Sequence, residues 1–136
     1  AQLELLDEYV AAKRRIYQGY QEGLAGVPGL SLMALAPWGK SACWMSTVVV
    51  DPPGFGLDSR ALLKALHGRR IQTRPLWQPL HQSPALAGSH SLGCPVSERL
   101  HRQALSLPSS VGLTPQDQAR VIAAIRQMAG QSPAGD

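Results

Sequence analysis

The stretch "CWMSTVVVD", residues 43–51, decides the fold. Its second half is an unbroken run of β-branched side chains, which favour the extended backbone of a strand: Thr47, Val48, Val49 and Val50. A run without polar alternation is typical of a strand whose two faces are both buried. The segment therefore predicts a sheet that other elements cover.

Upstream of this strand the sequence predicts a short strand and, before it, a long helix. The short strand is "SLMALAP", residues 31–37, closed by Pro37. In the helix, apolar residues recur at steps of three and four, which makes one face: Leu3, Leu6, Val10, Tyr17, Tyr20 and Leu24. Lys13 interrupts this face, and its aliphatic stem can lie along the helix with its charge in water. The helix must end near residues 23–29, "GLAGVPG", and its aromatic stripe is expected to pack on something larger.

Downstream, the turn "PPGFG" at residues 52–56 leads into a second helix. Asp58 is predicted to cap it by accepting the free backbone N–H groups of the first turn. Gly68 is expected to end it, and its buried face is predicted to consist of Leu62, Leu63 and Leu66. The next segment, "RRIQTR" at residues 69–74, is predicted to be a short strand.

The last third of the chain predicts two helices with a strand between them. Pro95 opens the first of these helices at a first helical position, with Val96 and Leu100 facing inward. The strand candidate is "ALSLP", residues 104–108. Thr114 is the predicted N-cap of the final helix, whose apolar face is formed by Val121, Ile122, Ile125 and Met128.

The resulting order is helix, strand, strand, helix, strand, helix, strand, helix. It predicts an α/β (α+β) fold in which helices cover a small sheet. Residues 1–128 are expected to form this single domain. Residues 129–136, "AGQSPAGD", have nothing to bury and are expected to form a mobile tail.

Composition and charge exclude several classes of protein. The 136 residues are 44% hydrophobic and 16% charged, which is typical of a globular domain rather than a disordered chain. No apolar run approaches the roughly 20 residues that span a bilayer, so no membrane segment is expected. The net charge of +4 comes from scattered basic residues, not from a cluster beside exposed aromatics, so nucleic-acid binding is not expected.

The residues alone predict no reaction. Cys43 and Cys94 form no Cys-x-x-Cys pair, so both are expected to be reduced, buried and apolar in character, in a cytosolic protein without a zinc site. The chain has no Gly-rich phosphate loop, no G-x-S-x-G elbow and no H-E-x-x-H helix. What stands out is an aromatic and basic loop, "TRPLWQPLHQSPAL" at residues 73–86.

Four segments, taken in order, resemble the DegT/DnrJ/EryC1/StrS family, pyridoxal-phosphate aminotransferases that act on nucleotide-linked keto-sugars. They are residues 1–24, 43–51, 62–86 and 104–125. The third carries the family pattern Arg, Pro, an apolar residue, Trp or Tyr, a spacer, Pro, Leu or Met, and His, written here as "RPLWQPLH". The resemblance covers residues 1 to about 128. It implies a small, mostly antiparallel sheet covered by helices, as in the C-terminal domain of fold-type I pyridoxal-phosphate transferases.

The resemblance also implies that the "RPLWQPLH" segment lines the mouth of a nucleotide-sugar site. Arg74 would present a planar cationic fork to a phosphate or carboxylate, Trp77 an apolar face to a ring, and His81 a hydrogen-bonding group. Each residue also has a purely structural interpretation. Arg74 pairs with Asp51 or another carboxylate, Trp77 is a core aromatic that locks the loop, and His81 is bonded to backbone.

Residues outside this segment carry no predicted chemistry. Trp44 is interpreted as a packing residue, and the other histidines as surface or helix-end residues: His67, His90 and His101. None of the lysines resembles the family's Schiff-base lysine, so no transamination is expected from this chain alone. They are Lys13, Lys40 and Lys64.

Two functions stay open. In the first, the chain is the C-terminal domain of an aminotransferase that uses pyridoxal phosphate to move an amino group from glutamate to a nucleotide-linked keto-sugar. Its share would be one wall of the sugar site and dimer contacts, with no cofactor held by this chain. In the second, it is a free-standing, non-catalytic module that binds a partner protein or an anionic small molecule, or that forms a homo-oligomer through the first helix. The missing lysine favours the second, as does Ala42, where the family often carries Asn.

Overall fold

The computed structural model describes residues 2–130, and its elements follow the predicted order closely. The helices are α1 (Leu6–Gly23), α2 (Pro52–Phe55), α3 (Ser59–Gly68), α4 (Pro95–Gln103) and α5 (Pro115–Met128). The strands are β1 (Leu30–Leu32), β2 (Ser46–Val50), β3 (Arg74–Pro75) and β4 (Ala104–Leu107). Short 3-10 helices lie at Gln2–Leu5, Leu80–Gln82 and Pro84–Leu86. The tail expected at residues 129–136 lies outside the described residues from residue 131 onward.

The strands form an antiparallel sheet in the order β1-β2-β4-β3. Strand β2 lies inside it, with Val48 opposite Leu32 of β1 on one side and Leu105 of β4 on the other. All residues of β2 except the half-buried Val49 are buried, which confirms the strand buried on both faces. The expected α/β fold, a small antiparallel sheet covered by helices, is confirmed.

Helices α1, α3 and α5, with Leu24 just after α1, cover the sheet and supply about half of the core. Their buried side chains form one cluster with the sheet: Ile16, Tyr20 and Leu24; Leu62 and Leu66; Val121, Ala124, Ile125 and Met128. Tyr20 is fully buried, and its hydroxyl donates to the carbonyl oxygen of Pro108 at 2.8 Å, which satisfies its polar end. Burial raises the pKa of the Tyr20 phenol far above its usual value.

The helix starts predicted from the sequence are confirmed. Asp58 Oδ1 accepts the N–H groups of Arg60 and Ala61 at 2.9 and 2.7 Å. Thr114 Oγ1 accepts the N–H of Asp117 at 3.1 Å. Pro95 is the first residue of α4, as predicted. Local side-chain chemistry therefore sets where these helices begin.

The predicted apolar face of α1 is wrong at its N-terminal end. Leu3 is 81% and Leu6 49% exposed, because among residues 2–130 the core cluster begins only further along the helix. There Ile16 and Ala12, which the predicted stripe left out, are buried beside Tyr17. The apolar face predicted for α1 is thus longer than the part of α1 that the described residues bury.

Two predicted strands are shorter than expected. Strand β1 ends at Leu32, well before Pro37. Strand β3 holds only Arg74 and Pro75, because Arg69 and Arg70 form the turn that closes α3 and residues 71–73 do not pair with the sheet. Gly68 is therefore the last helical residue, and the left-handed residue that closes the helix is Arg70.

Several side chains also differ from the prediction. Val96 was predicted to face inward but is exposed, whereas Leu100 is half-buried as predicted, beside the half-buried Glu98 and His101. The Lys13 ammonium, expected in water, donates to the carbonyl oxygens of Trp44 and Ser109. Cys43 is free and buried as predicted, whereas the free Cys94 is only half-buried.

Candidate functional site

The candidate site is built on the outer strand of the sheet. Strand β3 pairs with β4, with Arg74 opposite Ser106 and Pro75 opposite Leu105. Beyond Pro75 the chain leaves the sheet, after one further backbone bond from Leu76 N to Ala104 O at 3.4 Å. Trp77 and the residues that follow it therefore depend on contacts outside the sheet for their position.

Helix α4 holds this loop at two points. His81 Nε2 donates to Glu98 Oε1 at 2.9 Å, and His101 Nδ1 donates to the carbonyl oxygen of Leu76 at 2.7 Å. Glu98 and His101 are three residues apart, so they lie on one face of the helix. Arg60 of α3 holds His101 in turn, since its Nη2 donates to the carbonyl oxygen of His101 at 3.0 Å.

His101 lies in the last turn of α4, which agrees with its interpretation as a helix-end residue, but the sequence did not predict its bond to the loop. The one signal in the sequence is its spacing of three from Glu98 on a helix that follows the loop. His81 is hydrogen-bonded, but to a carboxylate rather than to the backbone expected in its structural interpretation. The pair is half-buried, with 22% and 34% of the two side chains exposed.

Trp77 is 66% exposed, so the interpretation of it as a core aromatic is wrong. Its ring packs against Trp44, with centroids 5.4 Å apart and planes tilted by 42°. Trp44 is a packing residue as expected, although it is itself 59% exposed. The backbone of Trp44 is held from α1 by Lys13 at 3.2 Å. The two indoles form an aromatic ledge that solvent reaches.

Arg74 and Trp77 line one cleft of about 570 Å³ between the outer edge of the sheet and α5. Arg70 and Arg120 line the same cleft, with Asp117 as an acidic neighbour. His81 is not part of the lining. Of the three residues predicted for the site, the fold thus brings two to a common cavity and places the third against α4.

The guanidinium of Arg74 is exposed and makes no hydrogen bond or ion pair with any residue between 2 and 130. Its interpretation as the partner of Asp51 is therefore wrong for the described residues. An exposed guanidinium beside an aromatic ring offers a planar set of donors to a carboxylate or phosphate.

The cleft is lined by no lysine. Lys13 is tied to backbone carbonyls, and Lys40 and Lys64 are exposed elsewhere. The cleft residues therefore do not fit the covalent lysine attachment that pyridoxal phosphate uses in transamination. Across the described part of the chain, no group of three or more His, Cys, Asp or Glu side chains is placed to hold a metal ion. None of the described helices combines the length and apolar character needed to cross a membrane.

Relatives with known names share this sequence and fold. The chain is 36% identical over 126 residues to EpsN of Bacillus subtilis (strain 168), which carries the name of a pyridoxal phosphate-dependent aminotransferase, covering 90% of this chain and 32% of EpsN. It is 33% identical over 129 residues to the GDP-perosamine synthase of Caulobacter vibrioides, covering 94% of this chain and 34% of the synthase. The structure of DesI in the presence of its TDP-sugar product superposes with a TM-score of 0.84 at 25% identity, covering 92% of this chain and 32% of DesI.

These matches extend over nearly all of this chain but only part of each relative. The chain spans about a third of the length of the relatives it matches. It resembles a fragment of nucleotide-sugar aminotransferases. Residues 1–126 match the sequence pattern of one family throughout. The chain belongs to the DegT/DnrJ/EryC1/StrS aminotransferase family.

Proposed function

We propose that this chain is the small-domain part of a nucleotide-sugar aminotransferase and that it forms one wall of the site for the nucleotide-linked sugar. The observation that carries the proposal is the exposed guanidinium of Arg74, which has no partner among residues 2–130 and lies in the same cleft as Trp77. Arg74 binds an anionic group of the ligand, and Trp77 packs against a sugar or base ring. His81 supports them by holding the loop on α4 through Glu98.

The amino transfer itself needs chemistry that these residues do not supply. Pyridoxal phosphate, the cofactor named for EpsN, would accept the amino group from glutamate and pass it to a keto-sugar when bound elsewhere in the enzyme. DesI with its TDP-sugar product and the GDP-perosamine synthase support a nucleotide-linked sugar as the ligand. Residues 1–128 act as a single domain that binds and orients this ligand. The free cysteines suit the reducing cytoplasm.

A second candidate is a non-catalytic module that self-associates. It is favoured by the apolar side chains left exposed at the N-terminal end of α1 and the turn before it: Leu3, Leu5, Leu6 and Tyr9. A homo-oligomer through this face buries them against the same residues of a second copy. The two candidates are compatible, since this surface is formed by the start of α1 and the 3-10 helix before it, whereas the cleft lies between the outer edge of the sheet and α5.

The direct test is a titration of the chain with TDP- and UDP-linked amino-sugars, following tryptophan fluorescence. Trp77 lies in the cleft and Trp44 against it, so a bound ligand is expected to quench the signal in a saturable way. The Arg74→Ala variant is expected to bind at least about ten-fold more weakly, because a charge-assisted hydrogen bond is lost. The matched control is Arg99→Ala, which removes an exposed arginine of α4 outside the cleft. Unchanged fluorescence with every sugar nucleotide, or equal affinity in the Arg74 and Arg99 variants, would contradict the proposal.

A further inference from the structure

Arg70 ends helix α3 in a backbone conformation that ordinarily belongs to glycine. Its φ is +59°. Its N–H donates to His67 O at 2.8 Å, and the N–H of Ile71 donates to Leu66 O at 3.0 Å. These two bonds are the Schellman arrangement at a helix end, where the left-handed residue is usually Gly because a Cβ is disfavoured there. The chain therefore carries an arginine where a glycine would be more stable.

The side chain of this strained residue lines the cleft that holds Arg74 and Trp77. Its guanidinium is exposed and has no hydrogen-bond or ion-pair partner within residues 2–130. No polar contact inside the described chain thus offsets the strain. Strained backbone that lines a cavity is typical of residues whose side chains are needed there for function.

Arg120 of α5 is a third guanidinium on the same cleft. One of its nitrogens donates to the carbonyl oxygen of Arg69 at 2.6 Å, which anchors the side chain while its other N–H groups remain. Asp117 is the acidic residue of the lining, and its carboxylate accepts a hydrogen bond from Thr114 Oγ1 at 2.7 Å. Among the described residues, the cleft is lined by three arginines and one carboxylate, and this excess of positive charge matches a doubly ionised diphosphate group.

We propose that Arg70, with Arg74 and Arg120, forms a binding site for a diphosphate group and that Arg70 is kept at its strained position for this contact. The inference rests on and deepens the proposed function, because a diphosphate links the sugar to the nucleoside in a nucleotide sugar. Trp77 then lies beside the ring attached to the diphosphate. Guanidinium forks suit phosphate oxygens because they donate two parallel hydrogen bonds.

The test uses the whole chain, with inorganic pyrophosphate, UDP and uridine as calorimetric probes. Wild type is expected to bind pyrophosphate and UDP, more weakly as salt is raised, and to bind uridine far less. Arg70→Gly and Arg70→Asn, which suit the left-handed backbone, are expected to lose at least about ten-fold in pyrophosphate affinity. Arg70→Gly is expected to melt no lower than wild type, and higher by about 2–4 °C if the strain is fully released.

The neighbouring Arg69→Ala is the matched control, since it removes the same charge from a side chain that bonds Gln127 and does not line the cleft. It is expected to keep pyrophosphate affinity within about two-fold. Equal pyrophosphate affinity in wild type and Arg70→Gly overturns the inference, while the proposed function survives if UDP-linked sugars still bind. Pyrophosphate binding that depends on Arg70, without any response to sugar nucleotides, upholds the diphosphate site and rejects the proposed function. If wild type binds neither pyrophosphate nor UDP nor any sugar nucleotide, both the diphosphate site and the proposed function are rejected.

Discussion

His81 Nε2 lies 2.9 Å from Glu98 Oε1, and this contact joins the loop that carries Trp77 to helix α4. The second contact, from His101 to the carbonyl oxygen of Leu76, lies at the opposite end of the same loop segment. Between these two points Trp77 packs on Trp44 at the edge of the cleft. The position of the aromatic ledge therefore depends on two side chains of α4 that do not line the cleft themselves.

Glu98→Ala is expected to loosen the loop while leaving the fold intact. Because both partners are partly exposed, the loss of unfolding free energy should be small, about 0.5–1 kcal/mol. The Trp44–Trp77 contact should weaken, which near-UV circular dichroism and tryptophan anisotropy measure directly. The control is Arg102→Ala, since Arg102 is 3.9 Å from Glu98 and its side chain is 66% exposed. A tryptophan signal that is the same in both variants would show that α4 does not position the ledge.

The core strands and helix starts were predictable because local chemistry decides them. The β-branched run ending at Val50 and the caps at Asp58 and Thr114 act within a few residues of themselves, so their effect is visible in the sequence. The same holds for the prolines that begin α4 and α5.

The rest depends on how distant segments meet. Strand β4 lies between β2 and β3, an order that no local pattern encodes. The exposure of Trp77 and of Leu3 is a property of the assembled surface. Helical periodicity placed Leu3 on a buried face, and the sequence left burial and exposure of Trp77 both open. Arg70 was hidden for another reason. Glycine is the residue usually found at a left-handed helix end, so the sequence points to Gly68, two residues before the left-handed Arg70.

Gly29→Ala is expected to destabilise the fold severely. Gly29 has a φ of +64°, and a Cβ built on it would lie 2.1 Å from Phe55 N, a backbone atom that cannot move aside. Its carbonyl oxygen also accepts the N–H of Asp51 at 2.7 Å, which joins the start of β1 to the end of β2. The loss of unfolding free energy in urea should be about 3–5 kcal/mol.

The matched control for this change is Gly26→Ala. Gly26 has a similar φ of +73°, but nothing lies within 4 Å of the added Cβ. Gly26→Ala should lose only the free energy of unfolding that an alanine costs in the left-handed conformation, about 1–2 kcal/mol. Equal losses in the two variants would mean that backbone conformation, not the close approach to Phe55, decides the effect.

The self-association hypothesis predicts that the purified chain dimerises and that Leu6→Asp makes it monomeric. Leu6 is exposed near the start of α1 beside other apolar side chains, and a charge there cannot be buried against a second copy. Sedimentation equilibrium over a range of concentrations measures the change. Leu92→Asp is the control, since Leu92 is an exposed leucine 92% accessible in a separate loop. A wild type that stays monomeric at every concentration would rule out this function for α1.

Raising the pH above about 10 is expected to destabilise the protein through Tyr20. Burial raises the pKa of this phenol in the folded state, whereas the unfolded chain ionises near the usual value of about 10. Above that pH the unfolded state therefore binds fewer protons than the folded state, so the free energy of unfolding falls as pH rises. The slope due to this one group should approach about 1.4 kcal/mol per pH unit until the folded state also ionises.

Tyr20→Phe should lose about 1 kcal/mol of unfolding free energy near pH 7, because it gives up the hydrogen bond to Pro108 O. In urea unfolding it should show a shallower decline of stability at alkaline pH. The comparison covers pH 9.5 to 11.5, a range of roughly two units around the usual phenol pKa. If the free energy of unfolding falls equally with pH in wild type and Tyr20→Phe, Tyr20 does not cause the alkaline loss of stability.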